Sequence, residues 1–240
     1  MAQLELPDYE ERLLVVGSNG SGKTVFLRAL LGAGYPRWVV VDHKGGFIPP
    51  DDPDHKYVVV RDPRDRRLLR ADRVLYRPAA EFKTRRWYEY LFRRLYARAE
   101  AVKQNGKRFV LLVDETLAIA RMRAVLWLGN IAVVGREWGV ALWLASQRLK
   151  WIPIEAKSEA HRWILFYLSD EDDEREALKF AKGALTLDEL RELTGGELGP
   201  DGKIRPPFVE LRRGATSGGR VVVTAYPPVR KPPDRPPHGR

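Results

Sequence analysis

The 240-residue sequence contains no cysteine, and it has only two methionines and four histidines. Without cysteine there is no disulfide, no thiolate nucleophile and no Cys-ligated zinc site. The four histidines also lack the spacing of metal ligands. No uncharged apolar run approaches the roughly 18 residues of a membrane-spanning helix, and the first residues lack the pattern of a secretory signal. We therefore expect an intracellular protein that is not an integral membrane protein.

Acidic residues are in the minority, since 32 Asp and Glu face 42 Lys and Arg, which gives a formal net charge of +10. This excess favours a polyanionic partner, either nucleic acid or an anionic membrane surface, although a generally arginine-rich proteome would also produce it. The densest basic stretch, 61–70, has two interpretations. Either it contacts DNA phosphates, or it is a solvated face that pairs with its own aspartates.

The segment Gly17–Thr24 reads GSNGSGKT and fits the phosphate-binding pattern G-x-x-x-x-G-K-[ST]. A strand pattern, 13–16, precedes it and a helical pattern, 25–31, follows, which is the context that the motif requires. Its glycines permit a tight turn whose backbone N–H groups converge on phosphate oxygens at a helix N-terminus. We expect Lys23 to reach the β- and γ-phosphates of ATP, Thr24 to ligate Mg²⁺, and the rest of the loop to bind phosphate: Ser18, Asn19, Gly20, Ser21 and Gly22.

Apolar runs alternate with amphipathic patterns along the chain, which favours an α/β fold with a mainly parallel sheet flanked by helices. The runs predict strands at 13–16, 38–42, 57–60, 73–76, 108–113, 140–145 and 163–168. The 3.6-residue patterns predict helices at 25–31, 79–104, 122–137, 174–181 and 185–193. On the longest of these helices the expected apolar face consists of Trp87, Leu91, Leu95, Ala99 and Val102.

The strand pattern at 108–113 ends in Asp114-Glu115, which is the pattern called Walker B. Asp114 would hold Mg²⁺ and Glu115 would polarise the attacking water. Downstream of a P-loop, this pair indicates hydrolysis as well as binding.

Two further strand patterns end in polar residues, and in a parallel sheet such residues meet at the edge where ligands bind. Strand 140–145 is followed by Ser146-Gln147-Arg148, which is well placed to sense a γ-phosphate. Strand 38–42 is followed by a turn, in which Asp42 and Lys44 either serve the site or are solvated.

Two alternating segments near the end of the chain, 208–212 and 220–225, predict a terminal hairpin. Residues 226–240 are rich in proline and arginine, and we expect a disordered basic tail that either docks on DNA or a partner or takes no part in function. The chain is thus expected to have a single P-loop ATPase domain, 1–225, followed by the tail.

Taken together, these motifs resemble the HerA–FtsK superfamily of DNA-pumping ATPases. The most specific part is the phrase at 135–148, GREWGVALWLASQR, and the resemblance covers roughly residues 12–170. The compact length is most similar to the viral genome-packaging ATPases of that superfamily. Members often place Pro after Gln-Arg, whereas Leu149 stands there in this chain.

The resemblance implies a RecA-like core of the additional-strand, catalytic-glutamate type, with strand 140–145 between the P-loop strand and the Walker B strand. It also implies a homo-oligomeric ring, hexameric or pentameric, that binds ATP and Mg²⁺ between subunits and acts on double-stranded DNA. Gln147 would be the polar sensor, and Arg136 and Arg148 are the two candidate arginine fingers. A viral member would dock on a capsid vertex or portal protein and work in the host cytoplasm.

Three functions remain open at this point. The first is an ATP-hydrolysing double-stranded DNA translocase that packages a viral genome. The second is a cellular or plasmid HerA/FtsK-like enzyme for DNA processing or transfer. The third is an ATP-dependent assembly factor without motor activity. A small-molecule kinase is disfavoured because no lid-like segment with convergent arginines is present.

Overall fold

The computed structural model describes residues 4–50, 56–195, 197–198, 204–205, 207–213 and 220–227. Most of the predicted tail, from residue 228 onward, and the loop of the predicted hairpin, 214–219, lie outside the described residues.

The strands of the described chain form one large sheet and one short ribbon. Their bounds are β1 (Arg12–Val16), β2 (Trp38–Asp42), β3 (Val58–Val60), β4 (Arg73–Tyr76), β5 (Phe109–Asp114), β6 (Val140–Ser146), β7 (Arg162–Leu165), β8 (Glu197–Leu198), β9 (Ile204–Arg205), β10 (Phe208–Arg213) and β11 (Val221–Tyr226). The order in the large sheet is β11-β10-β7-β1-β6-β5-β2-β4-β3, and β8 pairs with β9 separately. All neighbours from β7 to β3 run parallel, whereas β10 and β11 are antiparallel.

The helices cover both faces of this sheet. Their bounds are α1 (Lys23–Gly32), α2 (Arg67–Arg70), α3 (Arg85–Asn105), α4 (Thr116–Arg121), α5 (Leu126–Trp138), α6 (Ile154–Glu159), α7 (Glu171–Ala181) and α8 (Leu187–Thr194). Alternate residues of each central strand point to opposite faces. In β1, Leu13 and Val15 pack with the buried residues of α1, and Leu14 and Val16 pack with those of α3 and α5.

The predicted position of the sensor strand is confirmed. β6 lies between β1 and β5, pairing with both in parallel. Its last residue, Ser146, pairs with Val16 at the end of β1, and Asp114 at the end of β5 pairs with Asp42 at the end of β2. The carboxyl ends of four strands therefore meet along one edge of the sheet, as the predicted α/β fold requires.

The longest predicted helix, 79–104, begins later than expected. A 3₁₀ turn occupies Ala80–Phe82, and α3 starts at Arg85 after an extended Thr84. The apolar face also differs, because Tyr88 is fully buried whereas Trp87 is only partly buried. The other four predicted residues, Leu91, Leu95, Ala99 and Val102, are buried, so the direction of the face is confirmed and only its first member differs.

Other boundaries differ for local reasons. The predicted strand 163–168 ends at Leu165, which pairs with Val16 at the end of β1. Beyond it, Tyr167 O accepts a hydrogen bond from Ser18 N of the P-loop. The predicted helix 122–137 begins at Leu126, since α4 ends just before it and Arg123 adopts a positive φ of 55°. The short helices α2, α4 and α6 were not predicted, because four to six residues are too few to show a helical period.

The predicted terminal hairpin is confirmed as β10 and β11, and β10 joins it to β7. A buried ion pair links these strands: Arg162 Nε lies 2.5 Å from Glu210 Oε1, and Tyr226 donates a hydrogen bond to the other oxygen at 2.8 Å. In the described part of the chain, no helix is long and apolar enough to cross a membrane.

We predict that Arg162→Met lowers the free energy of unfolding by about 3–5 kcal/mol, because it leaves the Glu210 carboxylate buried without its cation. Urea unfolding measures the effect. Arg175→Met is the matched control, since the ion pairs of Arg175 on α7 are exposed and its loss should cost less than about 1 kcal/mol. Equal small losses in the two variants would contradict the prediction.

Candidate nucleotide-hydrolysis site

The P-loop lies between the end of β1 and the start of α1, and two backbone hydrogen bonds fix its entry. Gly17 N donates to Ser146 O at 3.3 Å, and Ser18 N donates to Tyr167 O at 2.8 Å. The loop is thus tied to the strand ends on both sides of β1. This attachment positions the predicted phosphate-binding residues together at the carboxyl edge of the sheet.

Glycine is required at several positions of this loop. Gly20 and Gly22 have φ values of 76° and 96°, which side chains rarely adopt. A Cβ on Gly17 would lie 2.5 Å from the Cβ of Phe166, closer than atoms can approach. Ser21 is buried and its Oγ has no hydrogen-bond partner within the described residues. The loop therefore offers an unsatisfied polar group where the motif expects a phosphate.

Lys23 extends from the first residue of α1 back across the loop. Its Nζ donates to Gly17 O at 2.7 Å and to Ser18 O at 2.8 Å. Burial lowers the pKa of Lys23 to about 8, and the nearby Glu115 and Asp114 carboxylates oppose that shift in part. A cation that is partly removed from water in this way favours an anionic ligand beside it.

The two predicted metal ligands lie side by side. Thr24 Oγ1 donates to Asp114 Oδ1 at 3.3 Å. Burial raises the pKa of Asp114 to about 6, with a smaller contribution from the Asp42 carboxylate. Hard oxygen donors of this kind suit Mg²⁺, which commonly binds through one or two protein oxygens together with substrate phosphates. The residues present therefore fit a Mg²⁺–nucleotide complex.

Glu115 is held in an unusual conformation directly after β5. Its φ of 82° and ψ of 74° lie in the left-handed region, which for a non-glycine residue costs of the order of 1–3 kcal/mol. The side chain is only 6% exposed. Its Oε2 accepts hydrogen bonds from Lys44 Nζ at 2.6 Å and Gln147 Nε2 at 2.7 Å, while the buried Oε1 has no partner among the described residues. The carboxylate is thus fixed at one oxygen and available at the other.

Lys44 is a site residue whose role the sequence left undecided. Asp42 is fully buried, and its carboxylate accepts backbone hydrogen bonds from Gly45, Gly46 and Phe47 at 2.7–3.2 Å. These bonds shape the turn that brings the Lys44 ammonium to Glu115. The only sequence signal was a lysine two residues after a buried strand at the ligand edge, which also fits a solvated turn.

The two candidate finger arginines occupy different environments. Arg148 is bound within its own chain, since its guanidinium lies 2.5 Å from both Asp170 and Asp173 at the start of α7. Arg136 is exposed in the last turn of α5, next to the beginning of β6. Because β6 spans Val140–Ser146, roughly 20 Å at 3.3 Å per residue, Arg136 lies at the edge opposite its own P-loop.

Neither the P-loop nor the rest of the described chain contains a cluster of three or more His, Cys, Asp and Glu residues able to hold a metal by themselves. His43 Nδ1 instead lies 2.6 Å from the Tyr88 hydroxyl. A metal at this edge would therefore depend on Thr24, Asp114 and the oxygens of a bound nucleotide.

We predict that Arg148→Ala lowers the free energy of unfolding by about 3 kcal/mol, because Asp173 is buried and would lose its cation. Arg136→Ala should change it by less than about 0.5 kcal/mol, since that side chain is exposed. Urea unfolding of both variants without nucleotide measures the difference. Comparable stability of the two variants would show that Arg148 has no structural role.

Comparison with known proteins gives similarity at the level of structure alone. No protein-family model and no curated protein matches the sequence. The fold is similar to that of the genome packaging NTPase B204 from Sulfolobus turreted icosahedral virus 2, with a TM-score of 0.62 and 15% identity over 93% of this chain and 100% of that one. B204 from Sulfolobus turreted icosahedral virus, a DNA-packaging ATPase, gives a TM-score of 0.58 and 16% identity over 92% and 98%.

A second group of similar structures comes from secretion ATPases. The cytoplasmic domain of the type VII secretion ATPase EccC from Thermomonospora curvata gives a TM-score of 0.55 and 19% identity, over 92% of this chain and 25% of that one. At 15–19% identity, the likeness to both groups is one of fold. The chain has the P-loop NTPase fold of these proteins, a mainly parallel sheet flanked by helices, as its sequence predicts.

Proposed function

We propose that this protein is a HerA–FtsK-type ATPase that uses ATP hydrolysis to translocate double-stranded DNA, as a viral genome-packaging motor. The observation that carries the proposal is the Glu115 carboxylate beside the P-loop, with Oε2 bound by Lys44 and Gln147 and Oε1 without a partner. A base held in this way suits activation of water rather than nucleotide binding alone. Support for DNA packaging comes from the likeness to B204, which is described as a DNA-packaging ATPase.

The residues of the site have separate roles in the proposed hydrolysis. The loop N–H groups and Lys23 bind and orient the phosphates, while Thr24 and Asp114 hold Mg²⁺. Bound Mg²⁺ supplies positive charge that stabilises the phosphate oxygens in the transition state. Glu115 Oε1 accepts a proton from the attacking water, and the ammonium of Lys44 keeps the carboxylate in position.

Gln147 joins the end of the sensor strand to the catalytic base. It follows β6 directly, and its side chain donates to the same Glu115 oxygen as Lys44. Movement of Gln147 toward a γ-phosphate would therefore change how Glu115 is held. We assign Gln147 the role of reporting the state of the nucleotide to the base.

The proposed motor is a homo-oligomeric ring, a hexamer or pentamer, in the cytoplasm, of the host if the gene is viral. Within it, Arg136 is the better candidate finger. It is exposed and lies far from its own P-loop, so it is available to a neighbouring subunit, whereas Arg148 would first have to leave two carboxylates. An arginine supplied in this way stabilises charge in the transition state and typically raises turnover by about 10³–10⁵-fold.

We predict that long duplex DNA raises the ATP turnover of the purified protein, and that the increase declines as salt is added, because phosphate contacts release counterions. Steady-state phosphate release, measured with and without duplex DNA at several salt concentrations, tests this. If ATP hydrolysis is slow and duplex DNA does not change its rate at low salt, the motor hypothesis is wrong and the assembly-factor alternative is favoured.

We also predict that Glu115→Gln preserves ATP affinity but lowers turnover by about 10²–10⁴-fold, since the amide keeps the shape of the side chain without a base. Fluorescent-nucleotide binding and single-turnover hydrolysis measure the two effects. Glu137→Gln, an exposed residue of α5, is the matched control and should leave both unchanged. Normal turnover in the Glu115 variant would remove that residue from its proposed role.

A further inference from the structure

A second concave feature lies away from the P-loop, on the surface formed by α3, the start of α5 and the turn before α2. It is a cavity of about 500 Å³ whose walls are arginine and aromatic side chains with one glutamate: Arg64, Arg86, Trp87, Glu89, Tyr90, Arg93 and Trp127. We call this set of residues the α3 groove. None of them takes part in the proposed hydrolysis.

One helix face carries the central cations of the groove. Arg86, Tyr90 and Arg93 recur at steps of four and three residues, so they share a face of α3, with the two arginines about 10 Å apart along the axis. Both are exposed, and no carboxylate of the described chain lies within ion-pair distance of either. These two guanidinium groups are therefore free to bind an anion from outside the chain.

The nearby carboxylates are already paired with other arginines. Glu89 binds Arg85 at 2.7 Å, and Asp62 binds Arg64 at 2.7 Å. The first turn of α3 contains no acidic residue, although acidic residues are the favourable choice at a helix N-terminus. These ion pairs account for Arg64 and Arg85 but leave Arg86 and Arg93 without a carboxylate in the described chain, where an anionic partner would fit.

The aromatic rings support the arginines rather than offering open faces. Arg86 lies 5.7 Å from the Trp87 ring centre, Arg64 lies 5.3 Å from the same ring, and Arg93 lies 5.6 Å from the Tyr90 ring. A guanidinium stacked on a ring is held in place while the N–H groups on its edge stay available for phosphate oxygens. Because the Trp87 and Tyr90 rings are occupied in this way, stacking of unpaired bases on them is disfavoured relative to contact with a phosphate backbone.

The helix that carries most of the groove also contacts the loop that holds the catalytic glutamate. Tyr88, on the buried side of the same helical turns, lies 2.6 Å from His43, and the next residue, Lys44, binds Glu115 at 2.6 Å. A partner that shifted the first turns of α3 would thus act on the β2 turn directly. This position suits a surface whose occupancy influences hydrolysis.

We propose that the α3 groove binds the backbone phosphates of duplex DNA through Arg86 and Arg93, and so forms part of the track along which the DNA moves. The proposal rests on the proposed function, since it assigns the surface that meets the translocated DNA. The contacts are to phosphates, so they are independent of base sequence, as a motor that moves a whole genome requires.

The test compares two double variants of the full-length protein with equal loss of charge. Arg86→Ala/Arg93→Ala should bind duplex DNA about tenfold more weakly or worse. The slope of log affinity against log salt should fall by about 2. ATP turnover without DNA should be unchanged. The control, Arg175→Ala/Lys179→Ala, removes two exposed cations from α7 and should match the wild type in each measurement.

Each other outcome counts against the groove in a distinguishable way. If the two double variants bind duplex DNA with equal affinity, the α3 groove is not the DNA-binding surface, but the proposed motor function is unaffected. Wild-type protein that neither binds nor responds to duplex DNA would refute the proposed function and the groove together. If the wild-type protein binds single-stranded DNA more tightly than duplex DNA of equal charge, and the Arg86→Ala/Arg93→Ala variant loses that preference, the assignment to duplex DNA is wrong.

A further control is the double variant Arg86→Lys/Arg93→Lys. It keeps the charge and should retain most of the binding to duplex DNA.

Discussion

The parallel pairing of β1, β6, β5 and β2 is the constraint on which the candidate site depends. Because these strands pair in register, Val16, Ser146, Asp114 and Asp42 finish at one edge of the sheet. The site residues follow these strand ends within a few positions, so they stay close together. They are the P-loop, Gln147, Glu115 and the turn with Lys44. Groups far apart in the sequence are thereby held within hydrogen-bond distance on a rigid scaffold.

Polar groups at this edge are kept in states that folding alone does not favour. Glu115 has a left-handed backbone, Asp114 is partly buried with a raised pKa, and Lys23 is partly buried with a lowered pKa. The surrounding sheet core, with its fully buried strands, stabilises the fold enough to hold them. Strain and desolvation of this kind concentrate where a protein binds charged ligands and performs chemistry.

Arginine illustrates why a residue type alone does not decide a role. Arg162 and Arg148 complete ion pairs with buried carboxylates, Arg136 is exposed at the far edge of the sheet, and Arg86 and Arg93 face outward over aromatic rings. In the sequence, each is an arginine next to an apolar segment. The basic stretch 61–70, too, has paired members, since Arg64 and Arg67 bind the aspartates two residues before them. These arginines differ in the groups that each one contacts after folding. Those partners are either distant in the sequence or brought close by a turn.

The place of β6 was expected only from the resemblance to HerA–FtsK ATPases. The residues themselves predict the P-loop, the acidic end of β5, the parallel α/β fold and the terminal hairpin. These follow from local signals: a glycine pattern in strand–loop–helix context, and apolar runs whose period fixes the element type. Three relations become visible only in the folded chain: Lys44 binds Glu115, Arg148 is bound within its own chain, and Arg86 and Arg93 border a groove. Those relations depend on strand register, on rotation of α3 by a fraction of a turn and on which carboxylates are already paired. No local signal decides any of the three, because each depends on residues that the chain brings together only on folding.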